Sequence, residues 1–600
     1  MSPQRRDEAI LGTPIPDRGR NTSGDVSRAS SHVPTDRDIR NPLHEPRNVF
    51  QYDQASRQQF IGESTCSLFG DRLLQCLNPQ ATVMASEYRY TQGDAFARQT
   101  GEMPSVKLPE RIRANLLVRV AIRFIGQDYH FFLKEDFLQQ LDRAYITGEY
   151  DAVWACKFFA TLALGELYST AAPSDGIVPG TEYFLTALEL LQDLYEEPTT
   201  SQVETMLLFC FYSNALGRVK SAHVHAGIAL RLSTCLGLHR SMPAGLTPVE
   251  QEHRIRLWWT VYIFDRSTST RLGQPLSIQD ADIEVGMPSE KLPPEAQDKF
   301  DSPAHLIINI KLSRIVGCIL RDIYGVSSRS SNSFVSNVRN ILKQLKELDA
   351  NMPDSLRLKH STSHRHVASL HLHFNQCIIL TTRPILLHVL KAKNPFGANK
   401  AVTPPISDTA KMLAESCISA ARTSNSLLSQ LFVENALATY GYFDAHHLFS
   451  STLVLIISAI ISPNSSDSDA VQTAFHLLKT MRDNGNMAAY QYYARLAHIQ
   501  WSVGRFRARS TNKDTALEPL PVTDTPVSLP EEAAESLDVN NYDWNTFLAP
   551  SDPLANYDWS GTGPAVDPLD NPLLQTFLDH TDASWDESLG LTNEDMDLLL

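Results

Sequence analysis

The side chains best equipped for chemistry in this 600-residue chain are its histidines, cysteines and paired carboxylates. His364, His366, His371 and His373 crowd together, but residues at i and i+2 of a helix point about 200° apart. His366, His373 and Cys377 share a helical face at i, i+7 and i+11, and only His373 and Cys377 are near enough to share a metal. No third ligand stands beside them, so the spacing reads as a core face. His446 and His447 stand alone. Asp280 and Asp282 are close enough to suggest an acid–base pair. No glycine-rich phosphate loop, Gly-x-Ser-x-Gly elbow or His-Glu-x-x-His motif accompanies them. The eight cysteines (Cys66, Cys76, Cys156, Cys210, Cys235, Cys318, Cys377 and Cys417) include no Cys-x-x-Cys, and most lie in apolar runs. They read as reduced, buried small hydrophobes. Catalysis and metal binding are not expected, and catalytic, cofactor and metal residues are all read as none.

Charge divides the chain. From 515 to 600 there are 18 Asp or Glu and no Lys or Arg; the net charge of −15 therefore leaves +3 for residues 1–514. A near-neutral body with an acidic tail argues against direct nucleic-acid binding by the whole chain. The first residues lack the apolar stretch of a signal peptide, and the longest apolar run, 453–461, is about half of the roughly 20 residues that span a bilayer. A soluble intracellular protein with no membrane partner is expected.

The elements that would position these residues are helices. Residues 1–55, rich in Pro, Ser, Arg and Asp, read as a disordered arm. From 56 to 509 the pattern is helical throughout. Ile112, Leu116, Val120 and Phe124 mark one expected stripe of a helix over 111–125. Ala160, Ala163 and Gly165 in the helix near 152–169 allow close helix approach. A helix over 179–197 carries Phe184, Leu188, Leu191 and Tyr195, and Thr199 or Thr200 caps the next. A buried helix over 248–269 holds Trp258, Trp259, Tyr262 and Phe264 and ends at the breaker Gly273-Gln274-Pro275. No stretch alternates for long like a strand. The expected fold class is all-α: a large domain of antiparallel helix hairpins with disordered termini.

One stretch carries a resemblance. Leu236-Gly237-Leu238-His239-Arg240 is followed by RIRLWWTVYIFDRSTSTRLGQPLSIQDADIEVGMP at 254–288. This ordered series resembles the middle homology region of fungal-specific transcription factors, regulators that normally carry a binuclear zinc cluster. The resemblance is strongest over 154–290. It implies that Trp258, Trp259, Asp265, Arg266, Gly273, Pro275, Asp280 and Asp282 are structural motif residues, with Asp280 and Asp282 capping or pairing with Arg266 or Arg271. It further implies a nuclear transcriptional regulator acting on a set of pathway genes, and in some members a small-molecule effector.

The family's zinc cluster needs six cysteines in a tight basic pattern, because two metals share bridging thiolates. This sequence lacks that pattern, so no zinc is expected in it. Two readings stay open: a zinc-cluster factor whose gene model is truncated, touching promoter DNA through the missing module, or a transcriptional cofactor that docks on a DNA-bound partner. The tail, 510–600, mixes acids with Trp544, Phe547, Trp559, Phe577, Trp585, Leu589 and Leu598. Carboxylate repulsion keeps such aromatics exposed for a partner's apolar groove, the composition of an activation region that contacts transcription co-activators.

Overall fold

Runs of apolar residues joined by links of a few residues oblige each helix to bury its face on its neighbours. The computed structural model describes residues 106–169, 177–191, 197–243, 245–325, 334–358, 364–393, 406–511, 568–570 and 572–579, with backbone alone for 501–511, 572–573, 50–52 and 58–60. Sixteen α-helices occur among the described residues. They are α1 (Arg111–Ile125), α2 (Lys134–Thr147), α3 (Ala152–Ser169), α4 (Thr181–Glu189), α5 (Thr200–Ala215), α6 (Val219–Cys235), α7 (Pro248–Leu272) and α8 (Pro294–Gln297). There follow α9 (Ala304–Asp322), α10 (Phe334–Ala350), α11 (Arg365–Lys393), α12 (Asp408–Val433), α13 (Tyr442–Ile461), α14 (Ser465–Asp483), α15 (Met487–Thr511) and α16 (Pro572–Asp579). The fold is all-α, as expected. A small antiparallel hairpin, β1 (Phe50–Tyr52) and β2 (Gln58–Phe60), pairs Phe50 with Phe60 and straddles the expected domain boundary at residue 55.

The helices enclose two apolar cores. One is built on α1 to α7, with Trp154, Phe158, Phe209, Trp258, Trp259 and Phe264. The other is built on α9 to α15 and takes in residues of α16. Helix α9 serves both, giving Leu306 and Ile310 to the first and Ile308 and Leu312 to the second. Helix α13 is apolar and long enough to cross a membrane by length and composition, yet two-thirds of it is buried within the domain. It packs on α11, α12, α14 and α15.

Local signals set the helix ends. Thr199 caps α5 through a capping box with Gln202, and Thr247 caps α7 ahead of Pro248. The face of α1 differs from the expected stripe. Ala114, Leu117, Val118, Ala121 and Ile125 are buried, whereas Ile112 is 76% and Leu116 59% exposed. The cause lies on α3: a Cβ at Gly165 would stand 2.2 Å from the Leu117 carbonyl oxygen. This close approach turns the Ala114–Leu117–Val118–Ala121 face inward and leaves Ile112 and Leu116 outside. Gly180, at φ +84°, makes a similar approach to Ala163. Helix α4 ends at Glu189, short of the expected 197, and Tyr195 lies outside the described residues.

Candidate functional site

Helix α7 owes its length to its caps and its place to its apolar surface. It starts where the Thr247 side chain accepts from the Glu250 amide at 3.2 Å, and ends at Gly273 in the left-handed conformation, φ +62°. Between these, Trp258, Trp259, Tyr262 and Phe264 are fully buried. So are Asp265 and Arg266, each 1% exposed, and such charges persist in a core only when paired. The Arg266 guanidinium donates to Asp265 Oδ2 (3.0 Å), Asp280 Oδ1 (3.0 Å) and the Ile278 carbonyl (2.9 Å). It lies 3.6 Å over the Tyr262 ring, and the Tyr262 hydroxyl donates to the same Asp280 oxygen at 2.7 Å. Trp259 Nε1 donates to the Gly286 carbonyl at 2.8 Å. The amides of Glu284 and Val285 both donate to the His239 carbonyl, and Arg240 pairs with Glu284 at 2.7 Å. The two halves of the quoted series, Leu236–Arg240 and Asp280–Pro288, are thus tied together on α7.

Each motif residue can now be placed. Trp258, Trp259, Asp265 and Arg266 are core, and Gly273 is a helix cap. Pro275 is exposed in the link, and Asp280 closes the network. Asp282 departs from expectation. It is exposed in the short 3-10 turn Asp280–Asp282 and stands outside these contacts. Arg271 also turns elsewhere: it donates to Asn214 Oδ1 at 2.9 Å and lies 4.6 Å over the Tyr442 ring. The helical rotation of five residues from 266 to 271 carries the second arginine away from the carboxylates.

Sequence reading missed two buried polar clusters. In the first, Lys157 Nζ meets Glu204 Oε2 at 2.7 Å, His253 Nε2 meets Glu204 Oε1 at 3.1 Å, and His253 Nδ1 meets His130 Nε2 at 2.9 Å. Burial alone would raise the Glu204 carboxyl, but Lys157 and His253 hold it below the ordinary carboxylate range. Burial, with His253 and Arg256 beside it, drives His130 well below the usual histidine range. The second cluster lies where the two cores meet. Arg365 pairs with Asp444 at 2.9 Å, and His305 Nε2 stands 3.6 Å from Asp128 Oδ1. Desolvation raises the Asp128 carboxyl against the pull of His305 and Arg365. The only advance signals were Lys157, inside an apolar run, and Asp444, between Phe443 and Ala445; Glu204 and Arg365 stand beside polar neighbours.

Two cavities of about 50 and 30 Å³ open beside Asp128 and Tyr129. A ligand pocket commonly needs about 300–1,000 Å³, whereas a single water needs roughly 10–15 Å³. In this conformation both cavities have room for water molecules. The histidines of the metal reading have other work. His373 meets Asn309 Oδ1 at 3.0 Å, and the His366 carbonyl meets the His305 ring. Burial pushes the Cys377 thiol up to about 12 and the His373 ring down to about 3. Among the described residues no three His, Cys, Asp or Glu converge as for a metal ion.

Of the tail residues, Trp544, Phe547, Trp559, Trp585, Leu589 and Leu598 lie outside the described residues. Phe577 is described, and its place corrects the expectation of an exposed contact. It is 1% exposed on α16, with Leu574 and Leu578 on the same face and equally withdrawn. Spacing of i, i+3 and i+4 makes one apolar stripe, and α10 and α12 cover it.

Residues 123–350 match the family model described as the fungal specific transcription factor domain. An uncharacterized transcriptional regulatory protein of Schizosaccharomyces pombe is 29% identical over 374 residues, which are 60% of this chain and 46% of that protein. The thiamine repressible genes regulatory protein thi1 of the same organism is 25% identical over 62% of this chain and 47% of its own length. Activator of stress genes 1 of Saccharomyces cerevisiae is 23% identical over 60% of this chain and 40% of its own. The chain spans about half the length of the curated relatives it matches. No solved structure matches it.

Proposed function

From the match of residues 123–350 to the fungal specific transcription factor domain, we propose that this chain is a nuclear transcriptional activator of that family, whose helical body regulates and whose tail activates. The observation that carries the activating half is compositional. Residues 515–600 hold 18 acids, no base and three tryptophans, Trp544, Trp559 and Trp585. Acid repulsion opposes self-collapse of those aromatics, and ordering on binding makes each contact weak and exchangeable, as co-activator recruitment requires. The regulating half rests on the two buried polar clusters. Desolvated charges of this kind favour one arrangement of helices over others, at some expense in stability. The target is a set of pathway genes. Promoter contact is assigned to neither half: it comes from a zinc module or from a DNA-bound partner. A small-molecule effector would have to widen the cavities at Asp128.

The experiment fuses residues 515–600 to a heterologous DNA-binding domain ahead of a reporter. The fusion activates, and replacing Trp544, Trp559, Trp585 and Leu598 with Ala abolishes activation. Full activity in the quadruple variant ends the reading.

A further inference from the structure

Residues 568–570 and 572–579 of the acidic tail lie on the domain, with Leu569 (4% exposed), Leu574 (0%), Phe577 (1%) and Leu578 (4%) joined to the same apolar cluster as Val338, Ile341, Leu342 and Leu345 of α10. Helix α16 packs on both α10 and α12. The Arg339 guanidinium stands 4.6 Å over the Phe577 ring, and Arg339 is itself 9% exposed, so the cation is largely desolvated where it meets the aromatic face. Gln575 Nε2 donates to the Leu569 carbonyl at 2.8 Å and closes the turn before the helix. Over its whole length α10 carries Arg339, Lys343 and Lys346 against Glu347 and Asp349, and the docked segment offers Asp570 and Asp579 with no base.

We propose that the α10–α12 groove is a docking surface for a short acidic amphipathic helix, and that its occupant is this chain's own segment 568–579, held as a latch. The face presented to the groove is Leu574, Phe577 and Leu578. That is the same i, i+3, i+4 face by which an acidic–aromatic helix would enter a co-activator's groove. One face cannot fill two grooves, so docking withholds this part of the tail. Fifty-six residues separate Thr511 from Pro568, and the covalent link makes capture intramolecular. A co-activator must compete with the latch, or another event must open it. The restraint rests on the tail being an activator; the docking does not.

The test uses the full chain, fused to a heterologous DNA-binding domain for the reporter. Hydrogen exchange is followed by mass spectrometry over 572–579. In the wild type these amides exchange at least tenfold more slowly than in a free peptide of the same sequence. Arg339→Glu opposes the Phe577 contact from the groove, and Leu574→Asp opposes docking from the tail without altering the domain's other helices. Both variants bring exchange to the peptide's rate and leave α12 at its wild-type rate; Arg339→Glu, which leaves the tail's own apolar face intact, raises reporter activity severalfold. Exchange at the peptide's rate in the wild type overturns the docking, as does protection that survives both variants. Release in Arg339→Glu without a gain in reporter activity overturns the restraint. If residues 515–600 alone fail to activate, the activator reading falls, while exchange still decides whether the segment docks.

Discussion

Arg266→Met removes a guanidinium from the centre of the family motif while keeping much of its apolar bulk. The two carboxylates it faces differ sharply: the Asp265 side chain is 2% exposed and that of Asp280 is 47%. Without Arg266, Asp265 is a buried charge with its partner gone, a change that costs about 3–5 kcal/mol. The wet Asp280 pair contributes under about 1 kcal/mol, because water and salt screen it. Arg266→Met therefore destabilises the domain by about 3–5 kcal/mol, and Asp280→Asn by under about 1 kcal/mol. Adding Asp265→Leu to Arg266→Met recovers part of the loss, because it removes the stranded charge. Arg266→Lys falls between, since an ammonium keeps the charge but loses the planar fork on Asp265, Asp280 and Ile278 and the stack on Tyr262. Urea denaturation followed by intrinsic fluorescence measures each shift at constant m-value. The reasoning fails if Arg266→Met lies within 1 kcal/mol of wild type, or if Asp280→Asn costs as much.

Gly165→Ala drives a methyl toward the Leu117 carbonyl at 2.2 Å and forces α1 and α3 apart; a loss of about 1–3 kcal/mol is expected in thermal melting, and an unchanged melt refutes the close approach. Acid destabilises the domain. Desolvation holds His373 down at about 3 and His225, His239 and His447 at about 4, so each is neutral when folded and protonates first in the unfolded chain, near 6.5. The stability they contribute is complete above that value and is lost as pH falls from about 6.5 toward 4, by at most about 1.4 kcal/mol per pH unit for each. Asp128, Glu252 and Glu415, whose carboxyls burial raises, act in the opposite sense, whereas His130, His366 and His446, also lowered by burial, act with the four. Denaturation midpoints at pH 7.5 and 5.0 check this; a midpoint that rises on acidification overturns it, and His447→Gln flattens the slope.

The legible parts of this fold were those that depend on neighbours in sequence. Thr199, one of the two caps offered, announces the start of α5, and Pro248 and the breaker at Gly273 bracket α7; the structure adds the partners Gln202 and Thr247, because a cap is a hydrogen bond within one turn of chain. The crowding of Trp258, Trp259, Tyr262 and Phe264 announces burial, since no solvated helix presents them all. The two buried clusters were not legible. Glu204 reads as an ordinary surface acid until Lys157, 47 residues away, and His253, 49 away, are folded onto it.

By itself, then, the sequence determined an all-α body, the positions of its main helices, the motif on α7 and the acidic bias of the tail. These follow from backbone hydrogen bonding, local caps and the period of apolar residues, all of which act over a few residues. Tertiary structure alone decided that Arg266 rather than Arg271 closes on Asp280, and that Asp282 stands outside. It also decided that α1 turns its alanines inward where Gly165 admits its backbone, and that Phe577 lies under Arg339. Each of these is a choice among partners far apart in the chain, made by which side chains the packed helices bring within a few ångströms.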